Sequence, residues 1–313
     1  MEYIKTPDLT DSSKKAYNDR LRKWIELSGW TIEWLCDHPK EAVAVLQASD
    51  KIKHSHRNHH NFISAVVAYL NYEQYGVTHW TAKLKFWRQL QKDNTEPIRQ
   101  HYLTGKPTAL QKDKVMNWNK IIKVRDELPV GKVKFLLGLY TYLNPVRADY
   151  FQLTLEHNEK RIPDSQKNYI LRDERRNCKM VLQDYKTYKK YGKLEIDMPE
   201  PMCRLLDAVI VADKGIHLGN NFLFENERGE PFTRQSFSQW ANRQLTKVFK
   251  AAYDQPMTLT ALRHIFTSQL DSNKPIAELH KIGNSMGHNV AQQRLYKWDD
   301  LNGEGKNEVV TPE

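Results

Sequence analysis

Two stretches near the C-terminus, "ALRHIFTSQL" at residues 261–270 and "NSMGHNVAQQRLYKW" at residues 284–298, decide how the rest of the chain is interpreted. Around the first stretch, apolar side chains recur every three to four residues, at Leu259, Leu262, Phe266 and Leu270. This spacing predicts an amphipathic helix with those side chains toward the core and Arg263 near the margin of the buried face.

The second stretch combines a turn with a late tyrosine. His288 follows Gly287, and Tyr296 comes eight positions later as the only tyrosine after Tyr253. Each residue alone has an ordinary structural explanation, as a turn histidine or a half-buried aromatic residue. An arginine, a histidine and a tyrosine in this order indicate a site and direct the search upstream.

Size and composition indicate a folded protein of two domains. The chain has 313 residues, more than the roughly 100 to 200 of a typical domain, and 40% of them are hydrophobic. With 48 Lys and Arg against 38 Asp and Glu, the formal net charge is +10. A field of this sign favours a polyanionic partner, nucleic acid first and an anionic membrane surface second.

The sequence argues against several cofactors and locations. Neither G-x-x-x-x-G-K-[ST] nor G-x-G-x-x-G occurs, so we expect no nucleotide cofactor. Cys36, Cys178 and Cys203 lack C-x-x-C spacing and are expected to be reduced thiols without a metal. No apolar run approaches the roughly 20 residues of a spanning helix, and no signal peptide is evident. We expect an intracellular protein that does not enter a membrane, in the cytoplasm or a host nucleus.

Helical periodicity predicts a first domain at residues 1–97. Its first helix would have Thr10 or Ser12 as N-cap and would stop at Gly29. The polar segment that follows the domain contains proline and glycine without clear periodicity, so a linker is placed at residues 98–108. A long helix of the first domain is predicted to bury Phe62, Val66, Tyr69 and Leu70.

The second domain, residues 109–313, is predicted to be mainly α-helical with a small antiparallel β-sheet. Short β-prone runs bounded by charged turns lie between residues 168 and 200, and helical patterns flank them on both sides. The last dozen residues are too polar to form a core and are expected to be a tail.

Two upstream segments complete the series of candidate site residues. "YLNPVRADYFQL" at residues 142–153 places Arg147 after a hydrophobic helix, with the acidic Asp149 close behind. "VLQDYKTYKKYGKLEIDMP" at residues 181–199 has the pattern of a hairpin, with Lys186 before the turn and Gly192 expected in the returning strand.

With these residues in place, the sequence resembles the tyrosine recombinases, the DNA strand-exchange family that includes phage-type integrases. The family has two arginines, a hairpin lysine, a glycine-histidine box and a tyrosine nucleophile in one order. Positions matching that order are Arg147, Lys186, Arg263, His288 and Tyr296. The resemblance implies a two-domain, C-shaped clamp on double-stranded DNA, a tetramer in the synaptic complex, and integration or excision of a mobile or viral element.

Two departures from the family pattern stand out. The second box has "TALR" where the family has H-x-x-R, so Thr260 occupies the position of a histidine, and His264 lies about 100 degrees further around the helix than Arg263. The interval from His288 to Tyr296 is one residue shorter than is common. Whether the tyrosine attacks in cis or in trans therefore stays open.

The resemblance assigns chemical roles that the residue types suit. Tyr296 would attack phosphorus and keep the bond energy in a 3'-phosphotyrosine link. Arg147 and Arg263 would bind the non-bridging oxygens through guanidinium forks, with His288 as a further donor. Lys186 would protonate the leaving 5'-oxygen. Because a phenol has an unperturbed pKa of about 10, we expect water or His288 to take the tyrosine proton.

Basic residues around a helix start are expected to contact DNA. They lie in "SDKIKHSHRNHHNF" at residues 49–62, where backbone N–H groups also favour phosphate. Histidine spacing in this segment matches no known metal-ligand interval. The predicted DNA-binding residues are Lys51, Lys53, His54, His56 and Arg57, with Lys189 and Lys190 in the second domain.

Two other functions stay open at this level. A type IB DNA topoisomerase uses the same tyrosine, arginine, lysine and histidine chemistry, and Thr260 is compatible with it. A DNA-binding relative that has lost catalysis is the second alternative, although residues suited to the chemistry occupy every position of the series.

Overall fold

The computed structural model describes residues 2–50, 55–74, 78–212, 222–271 and 273–298. The chain divides into two compact units, Met1–Thr104 and Gly105–Glu313, each with its own hydrophobic core. None of the helices in the described segments is both long enough and apolar enough to cross a membrane.

Five helices form the first unit. Predicted signals mark both ends of the first helix: the Thr10 side chain accepts a hydrogen bond from Ser13 N, and Gly29 ends the helix with a φ of 71°. The N-cap is thus Thr10 and not Ser12. The helices are α1 (Asp11–Ser28), α2 (Ile32–Asp37), α3 (Pro39–Ala48), α4 (His56–Tyr72) and α5 (Thr78–Leu103).

Two tryptophans lie at the centre of the first unit. Trp24 is fully buried, its ring meets those of Phe62 and Trp87 edge-on at 5.9 and 5.8 Å, and its indole N–H donates to Ala42 O at 3.1 Å. The indole N–H of Trp87 donates to Cys36 O at 3.0 Å. Both polar ends are therefore satisfied while the rings fill the core. The predicted core positions of α4 are buried as expected: Phe62, Val66, Tyr69 and Leu70.

The segment predicted as an irregular linker is largely helical. Helix α5 continues to Leu103 with Pro97 inside it, so most of residues 98–108 belongs to a helix or its end. Residues 91–103 include no buried side chain. A helical segment without buried side chains has no apolar periodicity, which is why the sequence pattern missed the second half of α5.

The second unit is mainly helical. Its helices before the sheet region are α6 (Ala109–Lys112), α7 (Trp118–Glu127) and α8 (Lys132–Thr141). A short α9 (Tyr188–Tyr191) interrupts the strands, and α10 (Glu200–Ala212) and α11 (Arg234–Tyr253) follow them. The last three are α12 (Leu259–Gln269), α13 (Ile276–Ser285) and α14 (Val290–Tyr296).

The sheet is mixed, which corrects the expected antiparallel arrangement. Its strands are β1 (Thr154–Glu156), β2 (Asn168–Arg172), β3 (Cys178–Leu182) and β4 (Leu194–Asp197), in the order β1-β2-β3-β4. Strands β2, β3 and β4 pair antiparallel, but β1 pairs parallel to β2, with Thr154 opposite Tyr169. A strand of three residues is too short to display alternation, so the sequence pattern did not reveal β1.

Helix α12 is buried on almost every side. It contacts α7, α11 and α14, and each residue from Ala261 to Ser268 is buried. Arg263 is therefore not at a margin as predicted, because only 4% of it is exposed. The apolar stripe identified one buried face, whereas neighbouring helices cover the others as well.

Replacing the central tryptophan tests the first unit's core. Trp24→Ala should destabilise that unit by about 3 to 5 kcal/mol, because it removes a fully buried ring and leaves a cavity. Native-state hydrogen exchange of the full chain measures this loss, with the half-buried Trp30→Ala as control. Equal losses in the two variants would contradict this assignment of the core.

Candidate active site

Arg263 lies where three segments of the second unit meet. Thr258 is the N-cap of α12, and its side chain accepts a hydrogen bond from Ala261 N, which fixes the start of the helix that carries the arginine. The guanidinium donates from Nε to Pro145 O at 3.2 Å and from Nη2 to Met286 O at 3.4 Å. One buried cation thus connects α12, the loop after α8 and the turn after α13.

The same guanidinium determines the tautomer of His288. Arg263 Nη2 lies 3.0 Å from His288 Nδ1, and a guanidinium can only donate. Nδ1 is therefore the acceptor, and the neutral ring carries its proton on Nε2. Among the described residues Nε2 has no hydrogen-bond partner although it is buried. An unused, desolvated donor is thus held beside Arg263.

Arg147 reaches the same turn from the loop after α8. Its Nη1 donates to Gly287 O at 3.1 Å, and its own carbonyl accepts the hydroxyl proton of the buried Tyr140 on α8. A side-chain bond from Asn144 Nδ2 to Ser285 Oγ, 2.8 Å long, joins the same two segments. Arg147 is half-buried, so its guanidinium is only partly enclosed.

Gly287 is a position where an added side chain would be both strained and crowded. Its φ is +67°, and a Cβ there would lie 3.0 Å from Thr187 Oγ1 and 3.7 Å from Arg147 Nη1. The Gly287 carbonyl accepts from Arg147 and also from Thr187 Oγ1, the latter at 3.0 Å. The glycine before His288 therefore allows two segments to converge on one carbonyl.

Lys186 lies in the connection between β3 and β4. Its backbone N–H donates to Asp149 Oδ1 at 3.4 Å, and its side chain is exposed. Lys189 and Lys190 are exposed in the short helix α9. The expected position of Gly192 in the returning strand is wrong: it ends α9 with a φ of 69°, and β4 begins at Leu194. A helical turn fits between the two strands, so this connection is longer than a simple hairpin turn.

Tyr296, at the end of α14, packs against the cationic Arg263 and the neutral His288. The Arg263 Cζ atom lies 5.0 Å from the centre of the phenol ring. The His288 ring stacks on it with centroids 5.7 Å apart and an interplanar angle of 13°. The structure thus brings together Arg147, Arg263, His288 and Tyr296, and the backbone of Lys186 joins them through Asp149.

Three residues to which the sequence assigned no role, His264, Ser268 and Trp298, hold the end of α14 in place. His264 Nδ1 lies 2.8 Å from Tyr296 O, and its ring stacks on Trp298 at 4.6 Å and 2°. Trp298 N donates to Ser268 Oγ at 2.7 Å. His264 and Ser268 both belong to α12, so the tyrosine is attached to the helix that carries Arg263. The adjacency of His264 to Arg263 was the available signal.

Burial dominates the electrostatics of the site. It lowers the pKa of Arg263, and Arg147 lowers it further. Burial, then Arg263 and Arg147, lower the pKa of His288 from 6.5 to about 3, so the ring is neutral near pH 7. Burial likewise lowers the pKa of His264 to about 4. Burial raises the pKa of Asp149, opposed mainly by Arg234.

The other predicted site residues lie outside this group of buried side chains. Thr260 is exposed on the first turn of α12. Arg57 hydrogen-bonds to the hydroxyl of Tyr102 and lies over its ring at 5.7 Å, and His56 is exposed at the start of α4. Lys51, Lys53 and His54 lie outside the described residues.

Metal ligands and thiols complete the survey of reactive groups. In the described segments, no group of three or more histidine, cysteine, aspartate or glutamate side chains is placed to hold a metal ion. Cys36, Cys178 and Cys203 are buried and form no disulfide among the described residues. Burial raises the pKa of Cys36 and of Cys178 to about 12, which keeps both thiols protonated.

Comparison with known proteins returns structural neighbours. The sequence matches no protein-family model and no curated protein. Among solved structures, XerA recombinase matches with 16% identity and a TM-score of 0.39, covering 94% of this chain and 90% of that one. The Tn1549 transposon integrase, solved in complex with transposon right-end DNA, matches with 16% identity and a TM-score of 0.37, covering 89% and 93%. What this chain does is therefore inferred from its own side chains.

Because Gly287 lies in a crowded turn, replacing it by alanine should destabilise the fold more than the same change at Gly229. Gly287→Ala and Gly229→Ala both place a Cβ at positive φ, at a backbone cost of about 1 to 2 kcal/mol, but only Gly287 has neighbours within 4 Å. We expect Gly287→Ala to lower the free energy of unfolding by at least about 1 kcal/mol more than Gly229→Ala. Urea unfolding measures both, and equal losses would contradict the crowding.

The neutral buried histidine predicts acid sensitivity. The pKa of His288 is about 3 in the folded chain and near 6.5 in the unfolded chain. The contribution of its neutral ring to the free energy of unfolding is therefore complete above pH 6.5. It is lost progressively as the pH falls toward 3. This residue alone should make the folded state about 2 kcal/mol less stable at pH 5 than at pH 7. Urea unfolding at both pH values should show a smaller difference for His288→Gln, and an unchanged one for the exposed His280→Gln.

Proposed function

We propose that the chain is a site-specific DNA recombinase that cleaves and rejoins DNA through a 3'-phosphotyrosine intermediate. The observation that carries the proposal is the packing of the Tyr296 ring against Arg263 and His288, with Arg147 on the same turn. Arg147 lies far upstream of the other three residues, yet all four meet at one place, with a phenol among cationic and hydrogen-bonding groups. That is the composition a phosphodiester requires for nucleophilic attack without a metal.

The cationic groups suit a phosphate. Arg147 and Arg263 are close enough to lower the pKa of His288 together, and Asp149 is the buried carboxylate beside them. Two guanidinium groups near one carboxylate leave positive charge that an anion would stabilise. We assign both arginines to the non-bridging oxygens of the scissile phosphate, and the unused Nε2–H of His288 to one of the same oxygens.

The reaction proceeds by direct displacement at phosphorus. The phenol oxygen of Tyr296 bonds to phosphorus and the bond from phosphorus to the 5'-oxygen breaks. Lys186 donates the proton that makes the 5'-hydroxyl. Because His288 Nδ1 accepts from Arg263 and Nε2 carries the proton, His288 acts as a donor and not as the base. With the exposed Thr260 in place of a second-box histidine, the tyrosine proton passes to water.

Recognition of DNA follows from charge. The net charge of +10 supports binding to duplex DNA. Exposed Lys189 and Lys190, near Lys186, would contact the phosphate backbone, as would His56 and Arg57 at the start of α4. A recombinase must exchange strands between two sites, so we propose a tetramer acting on the ends of a mobile or viral element.

One feature favours a second candidate function. Thr260 leaves the second box without a histidine, which is compatible with a type IB topoisomerase. Such an enzyme would relax supercoiled plasmid as a monomer and at any plasmid sequence. A recombinase would require its own site and would join two DNA molecules. Plasmid relaxation and two-site joining, assayed on the same preparation, separate the two functions.

Trapping the covalent intermediate tests the proposed function. The probe is a pool of nicked duplexes tiled across the DNA that flanks the protein's gene, since a nick prevents rejoining. We expect a nucleotide adduct on Tyr296 by mass spectrometry and none in Tyr296→Phe, because only the phenol oxygen can form it. Arg263→Ala should reduce the rate of adduct formation about 100- to 1000-fold.

Binding measured beside trapping makes a negative result informative. Tyr296→Phe should retain wild-type affinity for the selected duplex, since the missing oxygen contributes to chemistry. Tight binding by the wild-type protein without an adduct on any duplex of the pool would overturn the catalytic proposal and favour a silent DNA-binding relative.

A further inference from the structure

Arg234, the first residue of α11, links two segments of the site. Its Nη2 donates to Asp184 Oδ1 at 3.0 Å and lies 3.3 Å from Asp184 O. Its Nε lies 3.3 Å from Asp149 Oδ1 in an ion pair, and its Cζ lies 4.9 Å from the ring centre of Phe151. One planar side chain thus touches the loop after α8 and the connection between β3 and β4.

Both carboxylates are next to residues of the proposed chemistry. Asp149 comes two positions after Arg147, and Asp184 two positions before Lys186. Asp149 Oδ1 also accepts the backbone N–H of Lys186 at 3.4 Å. Arg234 therefore pairs with the carboxylate that is close to Arg147 in sequence and with the carboxylate that is close to Lys186.

The main chain at this junction has a separate support. The buried Asn168 donates from Nδ2 to Asp149 O at 3.2 Å and to Asp184 O at 3.0 Å. Its Oδ1 accepts from Asp184 N at 2.9 Å. The backbone is thus held by Asn168, whereas Arg234 acts on the carboxylates. Losing Arg234 should change the side-chain electrostatics more than the fold.

Arg234 compensates the negative charge of a buried carboxylate. Asp149 is only 2% exposed, and a buried carboxylate is costly unless it is paired. Without Arg234, Asp149 would keep Arg147 and Arg263 as neighbouring cations, whereas Asp184 would lose the guanidinium that pairs with it. Asp184 comes two positions before the exposed Lys186, so its carboxylate would then be available to the lysine ammonium. A lysine captured by this acid would be withdrawn from DNA.

We propose that Arg234 is a positioning residue that occupies both carboxylates and so leaves the Lys186 ammonium free to protonate the leaving 5'-oxygen. This inference rests on the proposed function. In the step concerned, the bond from phosphorus to the 5'-oxygen breaks as the Tyr296 oxygen attacks, and one proton moves from Lys186 Nζ to the departing oxygen. The lysine regains that proton when the 5'-hydroxyl attacks the phosphotyrosine during rejoining.

A sulfur-substituted substrate isolates this role. The measurement is the single-turnover cleavage rate of the nicked duplex selected by covalent trapping, with either oxygen or sulfur at the bridging 5' position. A thiolate leaves without a proton because thiols are far more acidic than alcohols. General acid catalysis typically contributes about 100- to 10,000-fold, so Lys186→Ala should lose at least about 100-fold on the oxygen substrate and little on the sulfur substrate.

Arg234→Gln should show the same substrate dependence as Lys186→Ala, with a smaller loss of rate. We expect a loss of about 10- to 100-fold on the oxygen substrate and a rate within about threefold of wild type on the sulfur substrate. Arg234→Lys should lose less, since it keeps the charge but not the planar fork. Arg243→Gln, an exposed arginine on the same helix, should match wild type on both substrates. Arg263→Ala should be slow on both.

The outcomes separate this inference from the proposed function. If Arg234→Gln is equally slow on both substrates, Arg234 supports the fold or binds phosphate, and the inference is wrong. Wild-type rates of Arg234→Gln on both substrates overturn it as well. If the wild-type protein forms no adduct with either substrate, the proposed function itself fails. Thermal unfolding of Arg234→Gln within a few degrees of wild type excludes general misfolding as the cause of a rate loss.

Discussion

The burial of the Arg263 guanidinium is the constraint on which the rest of the site depends. A cation that is 4% exposed must have its donors satisfied, and its partners are Pro145 O, Met286 O and His288 Nδ1. These acceptors belong to segments far apart in sequence. Because the buried guanidinium needs hydrogen-bond acceptors, it brings these segments together and sets the tautomer of His288. The desolvation of one cation therefore determines both the geometry of the site and the protonation of its histidine.

Tyr296 depends on the same helix for its place. His264 and Ser268 of α12 bond to the backbone at Tyr296 and Trp298, and Arg263 lies against the phenol ring. Nucleophile and phosphate-binding arginine are thus attached to one rigid element. Precise catalytic geometry is easier to hold on a helix than across mobile loops.

Sequence patterns located some features well and others poorly. Thr10 and Gly29 act through local backbone geometry, so α1 could be delimited without any tertiary information. The parallel pairing of β1 and the helical continuation through Pro97 could not be predicted in this way. A three-residue strand is too short to show a period, and residues 91–103 of α5 include no buried side chain. Nor did any pattern point to Arg234, whose partners lie about 50 and 85 positions upstream of it.

The sequence by itself determined which reactive groups exist and in what order, from Arg147 through Tyr296, together with the positive charge of the chain. It also determined that a glycine precedes His288. Only the tertiary structure decided that Arg263 is buried, that the imidazole is neutral with Nε2 unpaired, and that Asp149 is shared between Lys186 and Arg234. The reason is physical: desolvation and long-range contacts set protonation and orientation, and neither is encoded in the spacing of residues along the chain.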